Sequence, residues 1–483
     1  GFRIPNILQN LLGEGVLSAS FIPVYARMLV EGGEDFADML AWGVGVVLAV
    51  AVSILVALGV IAAPYLIEVI APGFEAEKRD LTIMLVRVLF PGAGLLVMSA
   101  WCLGVLNSHH RFFASYAAPV AWNIAIIAAL VFYGPHRTQD ALAVDVAWGS
   151  VLGSLLQVLV QLPQTLELLR KVRPDFGKIA LAMRTVFNNL MPVVVSRGVG
   201  QMSAYVDNIL ASLLPTGAVA AINYGQVFHM LPVSLFGWSV AVSELPSMAR
   251  ATGTIEEIST VLRTRLNSGL RQIAFMIVPS AAAFMFIGDV IVAFIFQSGH
   301  FTHQDAVYVW AVMAGSAVGM LATTMGRLYN SAFYALLDTR SPLKFALIRV
   351  ALTLVLGYMF ALPLPRAIGI AQKWGVAGLT ASAGVSAWVE FTLLRLKLNK
   401  RIGSTGLDRS FVAQLWGMAL IAGIAAFALK THTAAMGPRI QGIIVIGAFG
   451  SIYLMGAYLL RMPEFDNFVG QIRRRLKFRA SAR

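Results

Sequence analysis

Apolar runs recur along the whole chain with short polar breaks between them, and each is long enough to cross a hydrocarbon core of ~30 Å as a helix. Barrel strands would be half that length and would alternate. The pattern predicts thirteen helical spans, at 4–27, 40–71, 83–106, 113–134, 142–165, 186–214, 217–247, 272–296, 306–334, 343–364, 375–395, 411–430 and 440–461. The expected fold class is an all-α polytopic membrane protein. An odd number of spans puts the two ends on opposite faces. Gly1 is followed at once by Phe2, Arg3, Ile4 and Pro5, without an initiator Met or basic leader, so the natural chain is expected to begin earlier with a further span, fourteen in all.

Composition agrees: 58% of residues are hydrophobic and only 13% charged, against about 45–50% apolar in soluble domains. Charge then sets orientation. Of the 37 Lys and Arg, 25 fall in alternate connections and the tail, seven in the opposite connections and five in or beside spans. The positive-inside bias therefore predicts a cytoplasmic C-terminus. The same bias accounts for the net charge of +13, and the Arg473, Arg474, Arg475, Lys477 and Arg479 cluster reads as a solvated tail at anionic headgroups, with no nucleic-acid partner. Cys102 is the one cysteine, so the chain holds no internal disulfide. The histidines make no HExxH spacing, the chain has neither GxGxxG nor GxxxxGK[ST], and no clustered acid or His site argues for an enzyme. No metal or cofactor is expected. Gly43, Gly45, Gly384, Gly417 and Gly423 read as places of close helix packing.

The informative residues are polar ones within spans. Five arginines, Arg3, Arg87, Arg197, Arg327 and Arg349, lie inside or at the edge of apolar segments, where charge is costly unless it lines a wet cavity or meets a partner. Arg3, Asn6 and Asn10 share a face of the first span, with Pro5, Gln9 and Glu14 nearby. Prolines at 91, 192, 246 and 279 stand close to Arg87, Arg197, Glu244 and Arg271, as expected of kinked helices around a cavity. Arginine suits forked contact with phosphate or carboxylate, which points to an anion pathway. Two other readings stay open: polar networks within the bundle, and snorkelling to the headgroups for Arg327 and Arg349. Asp207 reads either as a cation site or as half of an ion pair.

These residues resemble a known family in order and spacing. The series runs through Arg3-Ile4-Pro5-Asn6, Gly13-Glu14-Gly15, Phe21-Ile22-Pro23, Ala71-Pro72-Gly73-Phe74, Arg87 to Pro91, Leu106-Asn107-Ser108, Arg111-Phe112 and Gln161-Leu162-Pro163. It continues through Asn223-Tyr224, Leu245-Pro246, the run from Phe296 to Thr302, Phe333-Tyr334-Ala335-Leu336, Asp338-Thr339 and Pro342. The chain is similar to the MurJ (MviN) lipid II flippases of the multidrug/oligosaccharidyl-lipid/polysaccharide exporter superfamily. That resemblance implies two six-helix lobes around a central cavity, plus two C-terminal helices forming a groove for the lipid tail. Residues 1–169 would be the first lobe without its helix 1, 170–405 the second lobe, 406–462 the two C-terminal helices and 463–483 a basic cytoplasmic tail.

The resemblance further implies translocation of lipid II, a polyprenyl-diphosphate-linked sugar-peptide, across the bacterial cytoplasmic membrane by alternating access of a monomer. Arg3, Asn6, Glu14, Arg87, Arg271 and Arg327 match family positions expected to meet substrate. Gln9 and Asn10 stand where the family usually has arginine, and Gln226-Val227 where Asp-Arg is frequent; Arg197 and Arg349 are basic additions that would compensate. Asp207 would hold a coupling ion, Na⁺ or H⁺, as in sodium-linked members. A flippase for another polysaccharide unit would share the cationic cavity. A multidrug or cation antiporter would need acids in excess, whereas Asp145, Asp207, Glu244 and Glu390 do not outnumber the arginines.

Overall fold

A computed structural model describes residues 4–14, 17, 20–31, 33–169, 177, 179–180, 183–184, 186–188, 190, 194, 206–240, 244, 248, 254–336, 338 and 340–466. The described residues contain helices and no strand, and ten of the helices are long and apolar enough to cross a membrane. Those ten coincide one for one with the predicted spans from 40–71 to 142–165 and from 272–296 to 440–461. The other three, 4–27, 186–214 and 217–247, fall on stretches that are only partly described. The chain forms two compact units, Gly1–Tyr205 and Val206–Arg483.

In the first unit the helices are α1 (Asn6–Leu12), α2 (Ile22–Glu31), α3 (Glu34–Ile70), α4 (Ala76–Ser108), α5 (Phe112–Tyr133) and α6 (Gln139–Leu168). The predicted span 4–27 is interrupted. Gly13 takes an extended backbone and its N–H closes α1 on the Gln9 carbonyl, at a point where a side chain would overlap that oxygen. With 37 residues, α3 is about 55 Å long and overshoots the bilayer; Glu34 and Asp35 favour its start at the positive end of the helix dipole. Phe21, Tyr25, Leu40, Val97 and Trp101 form the core, and the Trp101 indole donates to the Ala41 carbonyl at 3.0 Å.

The second unit contains α7 (Ala218–Pro232) with a π-helical turn after it (Val233–Trp238), α8 (Ile255–Phe296), α9 (His303–Ala335), α10 (Arg340–Ala361), the short α11 (Pro363–Ala367), α12 (Gly375–Ile402), α13 (Arg409–His432) and α14 (Pro438–Leu459). Its centre is α8 and α9: 61% of the apolar window of each is buried, against 17% for the stretch holding α10. The α8 helix begins well before the predicted span at 272, because Thr254 and Glu257 make a reciprocal capping box in the polar connection. Helices α9 and α12 touch backbone to backbone, since a methyl on Gly319 would overlap Gly384. At its far end α10 is held against α12 in the same way, Gly375 and Gly378 meeting the carbonyls of Ala361 and Phe360. The C-terminal helices sit on α8: Gly423 of α13 faces Phe286, Gly442 of α14 faces Phe294, and Tyr453 donates to the Phe275 carbonyl at 2.8 Å. Of the glycines read as packing positions, Gly43, Gly45, Gly384 and Gly423 meet neighbours; Gly417 faces open space and mediates no contact.

Candidate functional site: a cationic cluster halfway along the second unit

Four helices of the second unit bring charged and titratable side chains together within the apolar part of the bundle. Arg349 on α10 donates from Nη1 to Glu390 Oε2 on α12 at 3.1 Å. Arg327 on α9 lies in electrostatic reach of both, and His229 on α7 in reach of both arginines. Tyr334, two turns further along α9, feels the Glu390 charge. Counting along the helices puts Arg327 and Arg349 about 12–14 Å from the ends at Ala335 and Arg340, and Glu390 about 18 Å from Ile402, near the middle of a ~30 Å core.

Two guanidiniums thus gather about one carboxylate in an apolar setting. The Glu390 side chain is only 10% exposed and that of Arg349 30%, so the pair is shielded from bulk water but reachable. The Arg349 Nε has no hydrogen-bond partner among the described residues. The guanidinium plane as a whole, with its five donors in a fork, has the geometry suited to phosphate or carboxylate. The π-helical turn after Pro232 widens α7 just beyond His229.

The remaining predicted residues fall elsewhere. Arg3 and Arg197 lie outside the described residues. Asn6 and Glu14 are exposed on the first unit, as is Arg87, whose neighbours Val86, Leu89 and Phe90 face inward. Asp207 is half-buried in the helical stretch 206–212, beside the buried Asn208. Arg271, on α8, bonds Glu464 through Nε at 2.6 Å, approaches Asp408 at 3.9 Å and covers the Phe411 ring at 4.0 Å. It thus ties α8 to the segment after α14 and to the start of α13. Of the predicted substrate residues that are described, Arg327 is the one that belongs to this cluster.

Three acids expected or present within spans are paired with cations: Asp145 with Arg137 at 3.2 Å, Glu244 with Arg265 at 4.0 Å and Asp289 with Lys430 at 2.6 Å. Glu390 and His229 were not singled out from sequence as site residues. The available signal was Arg349 and Glu390 as opposite charges within neighbouring apolar spans. The Asp338 motif position is structural: hydrogen bonds from Ser341 and then the nearby Arg401 and Lys397 charges hold its carboxyl below the usual range, while it caps α10 and pairs with Arg401 at 2.8 Å.

The family model described as "Lipid II flippase MurJ" matches residues 1–445. A lipid II flippase MurJ from Burkholderia cenocepacia is 32% identical over 433 residues, covering 87% of this chain and 80% of that protein. A probable lipid II flippase MurJ from Rhizobium tropici is 28% identical, covering 99% and 89%. Among solved structures, a lipid II flippase MurJ in an inward closed conformation superposes with a TM-score of 0.74 at 18% identity, over 95% of this chain and 90% of that one. An inward-facing multidrug resistance MATE family transporter of the MOP superfamily gives 0.62 at 18% identity, over 82% and 88%, and shares the fold.

Proposed function

The chain belongs to the lipid II flippase MurJ family, and from that premise we propose that it carries lipid II from the inner to the outer leaflet of the bacterial cytoplasmic membrane by alternating access. It is a multi-pass membrane protein that moves its substrate without making or breaking bonds in it. The observation that carries the reading at residue level is the gathering of two arginines, Arg327 and Arg349, about Glu390 within the apolar helices.

A diphosphate leaving water needs cationic compensation, and each charge-assisted hydrogen bond from an arginine contributes roughly 1.5–3 kcal/mol. Glu390 serves as the resting counterion of Arg349. It lowers the cost of keeping that cation in an apolar region while no substrate is present, and it gives way when the diphosphate arrives. Arg3, Asn6, Glu14, Arg87 and Arg197 complete the polar path. Arg271, held by Glu464, regulates entry at the C-terminal segment instead of lining the path throughout. Asp207 holds the coupling cation, Na⁺ or H⁺, and the membrane potential adds about 2.3 kcal/mol per elementary charge per 100 mV to any charge carried across. The working unit is a monomer with its C-terminal tail in the cytoplasm.

The test is rescue of a bacterium depleted of its own lipid II flippase by the full-length gene, beside Arg327→Gln and Arg349→Gln at matched membrane expression. Rescue by the wild type and loss in the variants is expected. Rescue by both variants removes the cluster from the mechanism, and failure of a well-expressed wild type points to a different polyprenyl-diphosphate-linked cargo.

A further inference from the structure

At the opposite end of the second unit from Ala335 and Arg340, α8 and α13 finish where α9 and α14 begin, and a cavity of about 340 Å³ opens between them. That volume is within the range of small-molecule sites. Its polar wall is the Asp289–Lys430 pair at 2.6 Å, with His303 and Gln441 beside it, and Ala293 and Met436 give an apolar floor. Asp289 is 3% exposed, yet its Oδ1 has no hydrogen-bond partner among the described residues. One buried carboxylate oxygen therefore lacks a donor, and Lys430 retains N–H capacity beyond its bond to the other.

The surrounding backbone sharpens the chemistry. Two helix C-termini, those of α8 and α13, direct their negative dipole ends toward this region, and two N-termini direct positive ends. One of these, at α14, has no side-chain cap and Pro at its first turn. The field is thus two-signed within one cavity. A lone anion would meet Asp289 and a lone cation would meet Lys430; a group carrying both charges satisfies each. The connections at this end carry the few Lys and Arg of the outward side, which places the cavity at the level of outer-leaflet headgroups.

We propose that this cavity binds a zwitterionic phosphoethanolamine group, its ammonium on Asp289 Oδ1 and its phosphate on Lys430 and the first-turn N–H groups of α14, with the apolar floor receiving the glycerol and upper chains of a lipid. The site is independent of the transported cargo, so it stands or falls separately from the proposed function.

The experiment compares the full chain in detergent with added phosphatidylethanolamine, phosphatidylglycerol or soluble glycerophosphoethanolamine, reading thermal unfolding and lipid retained in native mass spectra. Wild-type protein is expected to retain and be stabilised by phosphatidylethanolamine over phosphatidylglycerol. Asp289→Asn and Lys430→Gln are each expected to weaken that binding roughly tenfold, the loss of one charge-assisted hydrogen bond. The exchange Asp289→Lys with Lys430→Asp keeps the ion pair as a folding control and is expected to lose the preference. A shift with the soluble headgroup as well as the lipid assigns the site to free zwitterions too; a shift with the lipid alone assigns it to the membrane. Equal effects of the two lipids on the wild type, or a preference that survives the single and exchanged variants, overturns the proposal.

Discussion

Glu390→Gln isolates the central electrostatic argument, because glutamine keeps the volume and hydrogen-bonding reach of the side chain but removes its charge. In the native protein the Nη1 to Oε2 distance is 3.1 Å, for a gross Coulomb attraction of about 5 kcal/mol at an effective dielectric constant of ~20. Desolvation of both partners offsets much of this. Removing one partner of a buried pair still costs about 3–5 kcal/mol, since the other charge remains without compensation. Arg349 is partly exposed, so a loss of about 2–3 kcal/mol is expected. Arg327 raises it toward the upper figure by adding a like charge.

Arg349→Met is expected to be milder, because the orphaned carboxylate can protonate and Arg327 stays nearby to compensate it. The double variant should recover most of the stability, with a coupling of ~2 kcal/mol in a double-mutant cycle. Thermal unfolding of the four proteins, purified in one detergent at matched lipid content, gives the comparison. If Glu390→Gln melts with the wild type, or if the double variant is no more stable than Glu390→Gln, the carboxylate is not the counterion of Arg349 and the account of the site fails.

Other perturbations test the frame. Gly319→Ala drives a methyl into the Gly384 backbone and is expected to cost ~1–3 kcal/mol, whereas Gly417→Ala faces open space and should be neutral or mildly stabilising in the same melting assay. Tyr25 donates to Asp38 at 2.9 Å and bonds His109 Nε2 at 2.7 Å, joining α2, α3 and the α4–α5 turn. Tyr25→Phe should destabilise by ~1–3 kcal/mol and speed hydrogen exchange at residues 109–111, and unchanged exchange there would refute the link. Because the folded Asp338 carboxyl titrates below its ordinary value of 3.8, its contribution is present above that pH and is lost as pH falls through the folded value. Asp338→Asn should therefore be less stable than wild type at neutral pH, with the gap closing in acid; a gap that widens on acidification contradicts the assignment. Glu464→Gln should release the 463–466 segment from Arg271 and increase its cleavage by a protease, an effect that must vanish in an Arg271→Ala background.

Hydropathy made the ten described membrane helices legible, since a bilayer demands a fixed length of apolar helix whatever the tertiary contacts. Ends were less legible. The polar start of α8 depends on the Thr254 and Glu257 side chains, and the interruption at Gly13 on a single backbone conformation, neither of which alters mean hydropathy. For the site, intramembrane charge flagged Arg327 and Arg349 but not their relation to Glu390. That relation needs the rotation of α10 against α12, which a period of 3.6 residues does not determine between separate helices. Arg271 shows the converse. A motif match pointed to substrate, and the structure adds a bond to Glu464, 193 residues away in sequence, that no motif carried.

The backbone contact between Gly319 and Gly384 sets α9 against α12 with no side chain between them, so the helices that carry Arg327 and Glu390 cannot slide past one another without opening that contact. The third charge is mounted on the same frame. The α10 helix meets α12 at Phe360 and Ala361, at Gly357 against Leu379 and Ser382, and again through the Arg349–Glu390 bond. The helices carrying the three charges are thus packed against one another, and an arriving anion meets groups already in register.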